Sequence, residues 1–135
     1  MHPSETSVTP SEAHAVEAVY ATGHWLLSRE RHGDAAKVFR VMLHAAPTDE
    51  RAWLALGECH ERIGQHRIAL ELYGTGSVLA ASAVRCHVAR ARVLHLLERD
   101  VEAEAALETA EQLAAARDDE SLATLVARER ERLAS

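Results

Sequence analysis

The strongest constraint on this chain is a pattern that recurs every 34 residues, three times over, with no insertion. The segment Trp53-Leu54-Ala55-Leu56-Gly57 is followed by Ala69, twelve residues beyond Gly57, and by Tyr73, four beyond that. Thirty-four residues earlier the last three positions hold Gly23, Ala35 and Phe39; thirty-four later they hold Ala91, Ala103 and Leu107. A fixed period of this length marks supersecondary units that stack because none can bury its apolar face alone. The residue types agree. Small residues at Gly23/Gly57/Ala91 and Ala35/Ala69/Ala103 let two antiparallel helices approach closely, and Phe39/Tyr73/Leu107 fills the gap toward the next unit.

The order W-x-x-L-G, then A-x-x-x-aromatic, is that of tetratricopeptide repeats. The chain is therefore expected to be all-α: a tetratricopeptide-repeat solenoid of three helix pairs plus a C-terminal capping helix. The repeats fall at about 16–49, 50–83 and 84–117 and the cap at 118–134, in one domain over 12–134, with residues 1–11 as a disordered N-terminal tail. Seven helices are predicted, at roughly 12–29, 33–45, 49–62, 66–80, 83–97, 100–116 and 119–133. Pro47 ends the first repeat, since a helix cannot run through it, and Thr48 or Asp49 caps the next. Gly33 and Gly64 sit in turns inside repeats, and Asp118 and Asp119 start the last helix. That helix carries the mixed charges Arg128-Glu129-Arg130-Glu131-Arg132 as a solvated face, with Leu122, Leu125, Val126 and Leu133 inward. The third repeat departs most from the pattern. His87 stands where Trp53 stands and Arg90 where Leu56 stands, so its first helix is expected to pack differently or to be partly exposed.

Composition narrows the function. A net charge of −6 disfavours nucleic acid, which needs a basic face. No apolar run approaches the ~18 residues of a membrane span, so no membrane insertion is expected. Met1-His2-Pro3-Ser4-Glu5 has neither the positive start nor the apolar stretch of a signal peptide, and Cys59 and Cys86 are isolated, as in a reducing compartment. A cytoplasmic protein is expected. Nothing in the sequence nominates a catalytic residue, a metal site or a cofactor. Cys59-His60 and Cys86-His87 lie on adjacent first helices, within reach of contact, but lack HxxxH or CxxC spacing. Gly74-Thr75-Gly76-Ser77 lacks the third glycine and the Lys-Ser/Thr of a phosphate loop, and reads as a spot of close helix packing. Glu102, Glu104 and Glu108 read as a solvated face.

In this architecture the first helix of each repeat lines the concave face, through one helical stripe. That stripe is Glu17, Tyr20, His24 and Leu27 in the first repeat, Arg51, Leu54, Glu58 and Glu61 in the second, and Arg85, Val88, Arg92 and His95 in the third. Tyr20, Leu27, Leu54 and Val88 would form an apolar strip flanked by Arg51, Arg85 and Arg92. Such a groove suits an extended peptide with a few apolar anchors.

Part of the sequence goes beyond the generic repeat. Leu56-Gly57-Glu58-Cys59, then Gly64-Gln65-His66, then Ala69, Tyr73 and Gly76 resemble the second repeat of the class II type III secretion chaperones, the SycD/LcrH family. Ala35-Ala36-Lys37-Val38-Phe39 upstream and Ala103-Glu104-Ala105-Ala106-Leu107 downstream are similar to that family's segments, so the resemblance spans about 16–116. It implies a bacterial cytoplasmic chaperone of a virulence-type secretion system. Such a protein would hold a hydrophobic translocator subunit, or a similar export client, through a short segment with spaced proline and leucine anchors lying in the groove. Tyr20 matches a family aromatic, whereas His24, Leu27 and His32 stand where the family has aromatics. The family's extra N-terminal helix, used in dimerisation, has only about eleven residues available here, and a homodimer is left open. The segment Ser82-Ala83-Val84-Arg85-Cys86-His87 keeps the family's arginine and loses its two prolines. The other reading is a generic tetratricopeptide adaptor between folded proteins.

Overall fold

The computed structural model describes residues 9–80 and 83–135. Among them are seven helices and no strand: α1 (Pro10–Ser28), α2 (His32–Ala45), α3 (Glu50–Arg62), α4 (His66–Leu79), α5 (Val84–Leu96), α6 (Asp100–Ala116) and α7 (Glu120–Ala134). Of the tail expected over 1–11, residues 1–8 lie outside the described ones. Thr9 is a helix cap, not tail: its hydroxyl accepts from Glu12 N–H at 3.1 Å, Glu12 answers to Thr9 N–H, and Pro10 opens α1.

Local chemistry sets the remaining ends. Asp49 caps α3 by accepting from Arg51 N–H at 3.0 Å, and Asp119 caps α7 by accepting from Leu122 N–H at 3.1 Å. Within each pair the turn is the same structure three times. The residue in left-handed conformation is Glu30, Gly64 and Glu98, with φ of 60°, 81° and 59°. The next N–H then closes on the carbonyl five residues back: Arg31 to Leu26 at 3.0 Å, Gln65 to His60 at 2.9 Å, Arg99 to Leu94 at 2.8 Å. This is the Schellman ending of a helix, which favours glycine, yet only the middle repeat has one. Gly33 lies instead in the first turn of α2.

Each helix packs on the next in the chain, and α7 packs back on both α5 and α6. The small-plus-large pairing that defines the period is visible in the core. A Cβ added at Gly23 would run into the Phe39 ring, and one at Gly57 into the Tyr73 ring. In the third repeat Ala91 packs in one cluster with Leu107, so a larger small residue is matched by a smaller large one. Phe39 and Tyr73 are almost wholly buried, each contributing about 1.5–3 kcal/mol by removal from water. Gly76 serves a second contact, between repeats: a Cβ there would lie 2.6 Å from Trp53 Cβ and 2.9 Å from Cys86 Sγ. The glycine-rich stretch at 74–77 is therefore continuous helix under close packing. Trp53 also ties the first inter-repeat connection, donating its indole N–H to Pro47 C=O at 2.8 Å.

The third repeat is not loosened. Seven of the thirteen residues of α5 are buried, because the helix is covered by α4, α6 and α7 and also touches α3. His87 is half-buried and its Nδ1 has no partner; burial, then the nearby Arg90 charge, hold its pKa below the ordinary value. The start of α5 has no side-chain cap of its own. Glu50 of α3 supplies one, accepting from Cys86 N–H at 2.8 Å; burial pushes its carboxyl pKa upward against that bond.

Candidate peptide-binding groove

The first helices α1, α3 and α5, closed at one end by α7, surround a groove of about 820 Å³. Eight of the nine residues expected from the repeat register line it: Tyr20, His24, Arg51, Leu54, Glu58, Arg85, Val88 and Arg92. Leu27 does not, and that expectation is corrected. It is 2 % exposed and packs in the core with Leu26, Phe39 and Met42. The cause is helical phase: Leu27 lies four residues after Gly23, on the face that α2 covers. Its counterpart one repeat on, Glu61, does reach the groove. The apolar strip is therefore Tyr20, Leu54 and Val88, with Ala55 and Ala89 between them and Leu125 of α7 at the end. Glu17 stands beside the groove as a partner to Arg51, and His95 turns away to Asp100, 2.7 Å from its Nδ1.

The walls are held by ion pairs that cross repeat boundaries. Arg51 donates to both oxygens of Glu17, at 3.0 and 2.6 Å, and to Asp49 at 2.8 Å, while its guanidinium lies 4.6 Å over the Tyr20 ring. Tyr20, His24 and Phe39 form one aromatic group, with the His24 ring edge-on to both neighbours at 4.6 and 5.5 Å. Deeper in, Arg92 donates to Glu61 at 2.9 and 3.2 Å, and Tyr73 O–H donates to the same carboxylate at 2.8 Å. Burial raises the Glu61 pKa, but the Arg92 hydrogen bond and charge and the Tyr73 bond outweigh it, so the group sits below its ordinary value. Burial, with the Glu61 charge, pushes the Tyr73 phenol far up, so it is a fixed donor. Arg62 pairs with Glu58 at 2.6 Å, and Arg132 with Glu129. The Arg62–Glu58 pair is exposed and adds little stability, so its effect here is to fix where the side chains point.

Sequence reasoning missed the contribution of α7. Glu129 and Arg132 line the groove, and Glu129 is 8 % exposed rather than on a solvated face. The signal was present: Leu122, Val126, Glu129 and Leu133 follow helical spacing, which puts Glu129 on the inward stripe. Cys59 and Cys86 are not brought together; each is buried in a different cluster, and burial pushes the Cys59 thiol up to about 11. Among the described residues no group of three or more His, Cys, Asp or Glu is placed to hold a metal. No helix there is long and apolar enough to cross a membrane.

No family model matches this chain, and no curated protein matches it in sequence. Solved structures do. The type III secretion translocator chaperone SycD of Yersinia enterocolitica is similar with a TM-score of 0.80 at 26% identity, over 90% of this chain and 89% of that one. SycD in complex with a peptide of the translocator YopD is similar at 0.74 and 27%, over 89% and 92%. PcrH of Pseudomonas aeruginosa is similar at 0.77 and 25%, over 96% of both chains. In fold and in sequence the chain resembles the class II type III secretion chaperone family. The details that set this family apart from generic repeats now have physical reasons. Gly64 takes the left-handed turn and Gln65 closes it, with its side-chain oxygen 2.6 Å from His60 Nδ1. Tyr73 lies on Gly57, and Gly76 lets Trp53 and Cys86 meet over α4. These chaperone-family residues build the scaffold; the groove residues differ in kind.

Proposed function

We propose that this chain is a bacterial cytoplasmic chaperone that holds an extended segment of a type III secretion translocator, or of a similar export client, in the groove of α1, α3, α5 and α7. The observation that carries the reading is the likeness over nearly the whole chain to SycD, which has been solved with a peptide of the translocator YopD. The groove supports it. Tyr20, Leu54 and Val88 offer a strip for apolar anchors, and preset arginines offer donors to backbone carbonyls along an extended chain. The mechanism is binding alone. The groove residues grip one segment and mask it, so that the client stays soluble and unpaired until export.

The test is co-expression with the proteins encoded beside it, followed by pull-down and a solubility assay. The expected result is a hydrophobic client that is soluble only in its presence and is released when Leu54 is replaced by Glu. Neighbours that are soluble alone and do not co-purify would refute the chaperone reading and leave the tetratricopeptide adaptor.

A further inference from the structure

The charges of the groove are unevenly satisfied. Five arginines line it against three glutamates, although the chain as a whole carries −6. Arg51, Arg62, Arg92 and Arg132 are each held by a carboxylate within 4 Å. Arg85 is the exception. It is exposed, and no carboxylate among the described residues pairs with it.

The repeat explains why. Glu17, Arg51, Arg85 and Asp119 occupy one position at steps of 34 residues. The Glu17 carboxylate is taken by Arg51, and the Asp119 carboxylate caps α7. Glu50, whose charge Arg85 feels, is turned into the start of α5, where it accepts from Cys86 N–H. The series runs −, +, +, −, and with both of its carboxylates engaged elsewhere its second arginine is left as an open guanidinium in the wall of the groove, one helical turn from Val88.

Building on the groove reading above, we propose that Arg85 reads an acidic side chain on the client, an aspartate or glutamate about two residues from the apolar side chain that sits over Leu54 and Val88. That spacing is within reach: Arg85 and Val88 are separated by about 5 Å along α5, and same-face residues of an extended chain by about 6–7 Å. The planar guanidinium matches a carboxylate with two parallel hydrogen bonds. Elsewhere Glu58, Glu61 and Glu129 would repel an acid, so the groove also fixes where along the segment the acid falls.

The test is selection of a randomised peptide library displayed on phage against the full chain and against Arg85→Glu. The wild type is expected to enrich apolar residues with Asp or Glu two positions away, and Arg85→Glu to enrich Lys or Arg at that same place. A synthetic peptide from the selection should bind about tenfold more tightly than its Asp→Asn counterpart, and Arg85→Gln should erase that difference. Arg85 is exposed, so helical content and Tm should match wild type in both variants, and Arg85→Gln decides if Arg85→Glu misfolds. Enrichment of apolar anchors with no acidic preference would overturn this inference and leave the chaperone groove standing. Enrichment of no segment at all would overturn both.

Discussion

Replacing Gly57 by Ala tests the packing that sets the period. A Cβ at this position falls on the Tyr73 ring, which is 1 % exposed, so the ring or the helix must shift. Overpacking of this kind costs about 1–3 kcal/mol. Any shift of the ring also weakens the Tyr73–Glu61 bond, of a class worth about 1.5–3 kcal/mol when one partner is charged. Alanine returns about 0.5–1 kcal/mol over glycine inside a helix. The net expectation is a loss of about 2–4 kcal/mol, a large share of the roughly 5–15 kcal/mol a domain has. At about 3 °C per kcal/mol for a chain of this length, Tm should fall by about 6–12 °C. Gly33→Ala is the control, since nothing lies within 4 Å of a Cβ there; it should be neutral or gain up to about 0.5–1 kcal/mol. The double variant Gly57→Ala/Tyr73→Leu copies the Ala91/Leu107 solution of the third repeat and should recover part of the loss, giving a favourable coupling in the cycle. Urea unfolding followed by far-ultraviolet circular dichroism measures all three. A Gly57→Ala midpoint at or above wild type, or no coupling with Tyr73→Leu, would refute the reasoning.

Further predictions concern the turn, the groove and acid. Gly64→Ala, at φ 81°, should cost about 1 kcal/mol, whereas Glu98→Gly, at φ 59°, should gain about 0.5 kcal/mol; urea midpoints decide both. Leu27→Ala should cost about 2–5 kcal/mol in unfolding experiments and leave client affinity of the folded protein unchanged, because Leu27 is core, while Leu54→Glu should remove binding and keep the fold. Glu61 has a folded pKa below its ordinary 4.5, so its stabilisation is present above that value and is lost as pH falls through the folded pKa. Tm of Glu61→Gln should therefore lie below wild type near neutral pH and converge with it as pH falls below 4.5 and through the folded pKa; a constant gap across pH would refute the assignment.

What could be read from the sequence follows from how each signal arises physically. The Asp49 and Asp119 caps and the groove stripe rest on single-helix geometry and the 34-residue period on close packing within a helix pair, and seven helices with nearly the expected bounds result. Leu27 was misplaced because the stripe was extended to the end of α1, where the α2 face takes over. The third repeat looked weak because His87 and Arg90 were compared with the apolar residues of the second. Its burial comes from α4 and α6, to which α7, a neighbour outside the period, adds a further face, and α7 is also what was missed in the groove. Glu129 was read by charge rather than by phase. Glu50 could not be placed at all, since its partner Cys86 lies 36 residues on, across a repeat boundary.

That last contact bears on the order in which the molecule is assembled. The N-terminus of α5 lacks a stop-and-start signal within its own repeat and takes it from α3. The third helix pair therefore has a template in the second, and a chain emerging from the ribosome meets that template already made. In synthesis the carboxylate that caps α5 precedes the helix it caps, and the groove has its last wall only once α7 is in place.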